Sequence, residues 1–269
     1  MIDFSVCIET AFAENDRSFP DRVRAAADAG FRAVEIWEWW NKPLPELQRA
    51  LTETGTQLHT ICVETWRDKC QLGDRQSHAL FLERLSRAAE VADDLGTPKL
   101  VVLAGDRVPD VALEAQHASV LDALAAASDR IAGSSLQLVL EIVNRQFEGP
   151  NALLQDSATT LQLLRRLDRP NLKYLYDRYH AILNGEPLGW AVGDNMDLVG
   201  HVQAADVPGR HEFGTGEQNW VAELSWLLAA GYQGYVGIEA VPVSDSAQLH
   251  AQARSIFEAA RAIVARAGS

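Results

Sequence analysis

Short runs of apolar and β-branched residues alternate along the chain with longer segments whose apolar positions recur at helical spacing. Strand-like runs fall at 4–8, 31–37, 57–63, 99–104, 136–143, 172–176, 199–204 and 235–238. Helical spacing marks 19–29, 44–54, 76–95, 111–132, 157–167, 219–230 and 246–267, with a shorter helix at 187–192. Gly30, Gly55, Gly96 and Gly231 stand where four of these patterns stop, as helix C-terminal signals do. Alternation of this kind demands parallel strands joined by crossover helices. Eight βα units in a chain of 269 residues predict an α/β fold, a (β/α)8 TIM barrel formed as a single domain over 1–269. An open doubly wound sheet would want a glycine-rich phosphate loop after its first strand. The residues there are Ile8-Glu9-Thr10-Ala11-Phe12, which carry no such loop.

The stretch 198–220 organises the rest. It begins as a buried strand and runs into a loop rich in glycine and proline, with Gln203, Asp206, Arg210, His211 and Glu217 between. In a (β/α)8 barrel the active site lies at the C-terminal ends of the strands. The predicted fifth strand ends in Glu141, Asp177 follows the sixth, Gln203 lies near the end of the seventh, and Glu239 ends the eighth. Taken singly, each has an ordinary reading. Glu141 and Glu239 fit salt-bridged strand ends, Asp177 a helix cap and Gln203 a satisfied core amide. Taken in order, oxygen-bearing side chains end consecutive strands. Carboxylates converging on one barrel mouth repel each other unless a cation joins them. An all-oxygen set suits a hard divalent ion, Mn²⁺ or Mg²⁺, and the absence of cysteine from it disfavours structural zinc. His180 and Arg210 lie close by in sequence, chemically suited to a substrate hydroxyl and a carboxylate; Glu148 lies past the fifth strand. Glu35 and His59 are weaker candidates for the lining of the mouth.

Composition narrows the partners. The net charge of −13, with no cluster of lysine or arginine, speaks against nucleic acid and anionic membrane surfaces. The three cysteines, Cys7, Cys62 and Cys70, form no CxxC and fit reduced thiols in the cytoplasm. MIDFSVCIET carries no signal-peptide pattern, and no apolar run is long enough to span a bilayer. The expected partner is a small-molecule substrate. The Trp37–Trp40 run fits a pocket wall or the interface of a homo-oligomer, dimer or tetramer.

The segments LVLEIVNRQFE, PNLKYLYDRYHAILNGEPL, GHVQAADVPGRHEFGTGEQNW and GYQGYVGIEAVP resemble the hydroxypyruvate isomerase family within the xylose isomerase-like (sugar phosphate isomerase/epimerase) barrels. The resemblance covers 136–242. It implies Glu141, Asp177, Gln203 and Glu239 as ligands of one divalent ion, and Glu141 and Glu239 as the proton-transfer pair. It further implies His180, Arg210 and Glu148 as substrate contacts. The reaction it implies is aldose–ketose type isomerisation of a small α-hydroxy carbonyl acid, hydroxypyruvate to tartronate semialdehyde, through an enediolate. Ile142 stands where members usually have proline. Residues 63–78 carry Trp66, Arg67 and Lys69 in place of a glycine-rich segment, and the Trp-rich run after the second strand is also unusual. These departures leave the substrate open. The alternative is a ketose 3-epimerase, or an isomerase of a larger sugar or sugar acid; Gln203, where those epimerases commonly have histidine, favours the isomerase. An apurinic endonuclease would need additional histidines and a basic face. A retired barrel that only binds ligand would not need the oxygen set.

Overall fold

The strands are short and largely buried, and the side chains of Ser18, Asp156, Asp177 and Asn219 cap helices that follow them. The structure, a computed structural model, describes residues 2–267; Met1, Gly268 and Ser269 lie outside the described residues. In order the elements are β1 Ile2–Cys7, α1 Phe19–Asp28, β2 Ala33–Glu35, α2 Leu44–Thr54, β3 Gln57–Cys62 and α3 His78–Leu95. There follow β4 Lys99–Leu103, α4 Leu113–Arg130, β5 Gln137–Glu141, α5 Ser157–Leu167, β6 Leu172–Asp177 and α6 Arg178–Leu183. The chain then forms β7 Val199–Ala204, α7 Trp220–Ala229, β8 Gly234–Ile238 and α8 Leu249–Ala267. The strands close in sequence order into a barrel. β1 pairs in parallel with both β2 and β8, β4 with both β3 and β5, β5 with β6, and β7 with β8.

The helices obey local rules. Ser18 caps α1 by accepting from the Asp21 N–H, Asp156 caps α5 from the Thr159 N–H at 2.7 Å, and Asn219 caps α7 from the Ala222 N–H at 3.1 Å. Gly55 and Gly96 end α2 and α3 at φ of 67° and 66°, where a side chain would strain. α8 buries Leu249, Ala253, Phe257 and Ala260, a single stripe at helical spacing.

The chain falls into two compact units. The first holds residues through Ile36, Asn41–His59 and everything from Val202; in it Phe4 meets Phe213 and Phe257 edge to face. The second holds Trp37–Trp40 and Thr60–His201, where Cys62, Val101, Val139 and Leu175 from β3 to β6 form a core cluster with Trp37 against it. Among the described residues no helix is long and apolar enough to cross a membrane.

The helix expected at 187–192 is absent. The link from β6 to β7 instead forms α6 directly after Asp177 and a 3-10 segment over Gly193–Leu198. The Asp177 side chain starts α6, whereas Pro187 and Gly189, the latter at φ 73°, hold 187–192 in turns. β2 also keeps only three of the seven residues expected at 31–37.

Candidate active site

Glu141 is the last residue of β5 and Asp177 the last of β6, on strands paired so that Glu141 stands opposite Leu175. Asp177 is buried and does two jobs. Its Oδ1 caps α6, accepting from the Tyr179 N–H at 2.8 Å and the His180 N–H at 3.4 Å. Its Oδ2 lies 3.5 Å from His180 Nε2, which is also 3.4 Å from Glu141 Oε1. Ligand-capable atoms of Glu141, Asp177 and His180 thus lie within 4.8 Å of one another.

Hydrogen bonding decides which part His180 takes. The Asn144 backbone N–H donates to His180 Nδ1 at 3.1 Å, and Asn144 Nδ2 lies 2.9 Å from the same nitrogen. The amide of Asn144 is itself oriented, since its Oδ1 accepts from the Gln146 and Phe147 N–H groups at 3.1 and 2.8 Å. Its Nδ2 also donates to Glu148. A ring nitrogen that accepts carries no proton, so the neutral imidazole holds its proton on Nε2. In that tautomer His180 offers an N–H toward the carboxylates of Glu141 and Asp177. The expected residues Glu141, Asp177, His180 and Glu148 form one connected group, and Asn144 links it.

The first unit carries a second group. Gln203, on β7, is buried; its Nε2 donates to Glu35 Oε2 at 2.7 Å, and its Oε1 has no hydrogen-bond partner among the described residues. The core-amide reading thus holds for its nitrogen and fails for its oxygen. Glu239, just past β8, is buried and salt-bridged to Arg210, whose Nη2 lies 2.5 Å from Glu239 Oε1. Arg210 sits in the left-handed region at φ 57°, with its carbonyl accepting from the Val241 N–H at 2.7 Å. The Cys7 thiol is pushed up by burial and by the charges of Glu239, Glu9 and Glu35 around it.

Asp206, in the same loop, is architectural. Its carboxylate accepts from the N–H groups of Val207, Gly214 and Gln218, and its own N–H donates to His211. The adjoining Val207–Pro208 peptide is cis. Glu212 ties this loop to the segment after β8 by accepting from the Val243 and Ser244 N–H groups. One expectation changes. His59 does not line the mouth: its ring packs edge-on against Tyr235, at the start of β8. Arg67 lies over the Trp66 ring, 5.0 Å from its centroid. Of the tryptophan run, Trp37 packs on the core, Trp39 donates to the Cys62 carbonyl at 3.0 Å, and Trp40 is exposed.

Glu35 was a candidate for the lining of the mouth, but its hold on Gln203 carried no signal in the sequence. Asn144 had only its position, three residues past a strand-end glutamate.

The family model for xylose isomerase-like TIM barrels matches residues 23–262. A human relative, provisionally named a hydroxypyruvate isomerase, is 34% identical over 269 residues, covering 95% of this chain and 95% of its own. A 2-oxo-tetronate isomerase of Pectobacterium atrosepticum is 31% identical over 234 residues, 84% of this chain and 88% of its own. The crystal structure titled AP endonuclease, family 2, from Brucella melitensis superposes with a TM-score of 0.86 at 24% identity, over 95% of this chain and 99% of that one, a likeness of fold. The strand order, the strand-end acids and the matched segments lead to one assignment: the chain belongs to the hydroxypyruvate isomerase family of the xylose isomerase-like TIM barrels.

Proposed function

We propose that the protein is a divalent-metal-dependent keto-acid isomerase that interconverts hydroxypyruvate and tartronate semialdehyde. The observation that carries this reading is the donor set. Glu141 and Asp177 converge as carboxylates, and Gln203 keeps a buried amide oxygen with no protein partner among the described residues. These are oxygen donors of the kind Mn²⁺ or Mg²⁺ takes, with no thiolate that would favour a softer ion, and the family resemblance assigns Glu141, Asp177, Gln203 and Glu239 to one such ion. When bound, the ion supplies Lewis-acid polarisation of the substrate carbonyl and hydroxyl oxygens.

The remaining chemistry belongs to side chains. One of Glu141 and Glu239 removes a proton from C3, the hydroxyl-bearing carbon, and the pair returns a proton to C2. The hydroxyl proton passes from the oxygen on C3 to the oxygen on C2, so the atoms balance without oxidant or reductant. General acid–base transfer of this kind contributes about 10²- to 10⁴-fold. The Nε2–H of His180 donates to a substrate oxygen, Arg210 holds the substrate carboxylate beside Glu239, and Glu148, oriented by Asn144, accepts from a hydroxyl.

A second reading keeps the chemistry on a longer sugar acid. It is favoured by the 2-oxo-tetronate isomerase among the relatives and by the unusual residues 63–78. The test is turnover by metal-stripped protein, with Mn²⁺ or Mg²⁺ returned, on hydroxypyruvate, 2-oxo-tetronate and free ketoses. Metal-dependent turnover of hydroxypyruvate is the expected result. Turnover of the tetronate alone would establish the second reading, and turnover that ignores removal of the ion would overturn both.

A further inference from the structure

We propose that Glu35 is a positioning residue that decides which atom of Gln203 meets the metal ion; this rests on the metal reading given above. A carboxamide has nearly identical ends, and turning it over exchanges oxygen for nitrogen at little steric cost. Only the oxygen can ligate a hard cation. A group that fixes the turn therefore fixes the ligand. A carboxylate accepts and never donates, so the Gln203 nitrogen, 2.7 Å from Glu35 Oε2, is the atom that must face it, and the oxygen is directed away.

The contact is built on several strands. Ser5 on β1 donates its hydroxyl to the other oxygen, Glu35 Oε1. Gly237 on β8 stands opposite both Ser5 and Gln203 in register, and a Cβ there would fall on the Glu35 carboxylate. The bare glycine leaves the room through which Glu35 reaches Gln203. Glu35 is only 1% exposed, so water does not compete for the amide, and a buried carboxylate is tolerated at such a place only when hydrogen-bonded. The coupling also runs in reverse: a cation on the amide oxygen makes the amide N–H a stronger donor to Glu35.

The experiment is titration of metal-stripped protein with Mn²⁺, followed by the paramagnetic resonance of the free ion, with thermal melting in parallel. Wild type is compared with Glu35→Gln and with the exchanged pair Glu35→Gln/Gln203→Glu. In the single variant, the new amide can donate as well as accept, so Gln203 is free to turn its nitrogen inward. In the exchanged pair the amide at 35 donates to a carboxylate at 203, and an oxygen faces the ion again. We expect Glu35→Gln to bind Mn²⁺ about 10- to 100-fold more weakly. The exchanged pair should recover to within about threefold of wild type, since its oxygen donor is restored. A purely structural role would move the melting temperature and leave the affinity of folded protein unchanged. Equal binding by wild type and Glu35→Gln overturns this proposal alone. So does an exchanged pair that folds but does not recover. Wild type that takes up no Mn²⁺ overturns the metal reading itself, and the positioning role with it. Should Glu35→Gln fail to fold, the exchanged pair decides: binding near wild type supports the role and a hundredfold loss refutes it.

Discussion

Asp177 shows how one side chain serves fold and site together. Its Oδ1 starts α6 and its Oδ2 faces His180, so the helix that the cap creates brings the imidazole back toward the carboxylates. The three-residue spacing of Asp177 and His180 was legible in the sequence, because a cap and the first turn are local. The partner that sets the His180 tautomer was not: Asn144 lies 36 residues away and acts partly through its backbone N–H, which no residue type advertises. With the Asn144 donors on Nδ1, the nitrogen chemical shifts of the His180 ring in neutral protein should report a protonated Nε2 and a bare Nδ1; the reverse pattern would refute the assigned role. Asn144→Ala removes the side-chain donor but keeps the backbone one, and it unties Glu148. A fall of about tenfold in kcat with the tautomer retained is the expected result.

At the scale of elements, the segment after β3 is held by one buried acid. Glu64 Oε2 accepts from the Cys70 N–H at 2.7 Å and from Arg84 at 2.6 Å, and Arg84 also grips Asp68 with two contacts of 3.1 Å. Burial, with Glu64 beside it, pushes the Cys70 thiol up to about 12 from an ordinary 9.0. Since the folded protein holds this proton more tightly than the unfolded chain, its contribution to stability is complete below pH 9.0 and is lost as the pH rises toward about 12. Disulfide-exchange reagents should label Cys70 slowly at pH 8. Glu64→Ala removes both the charge and the anchor, and labelling should quicken at least about tenfold; an unchanged rate would contradict this account of the loop. Helices that end at Gly55 and Gly96 were legible to the residue, because a left-handed C-terminus is a local demand. The link between β6 and β7 was misplaced because α6 has only six residues, too few for its periodicity to outweigh the turn residues that follow.

Over the whole molecule, the alternation of strands and helices was enough to specify a closed parallel barrel, since parallel strands with crossover helices leave few arrangements. The strand ends where Glu141, Asp177, Gln203 and Glu239 stand followed from that. What composition could not supply was the internal hydrogen bonding that gives equivalent-looking residues different duties: Glu35 holds an amide, Asp206 holds a loop, and Glu212 ties two loops together. The claim on which the rest depends is that Glu141 and Glu239 move the substrate proton. Turnover of hydroxypyruvate by Mn²⁺-supplied wild type should be measured against Glu141→Gln and Glu239→Gln, with circular dichroism confirming the fold. Each variant should lose at least about 10²-fold in kcat with the barrel intact. Either variant, folded and turning over hydroxypyruvate at the wild-type rate, would contradict that claim.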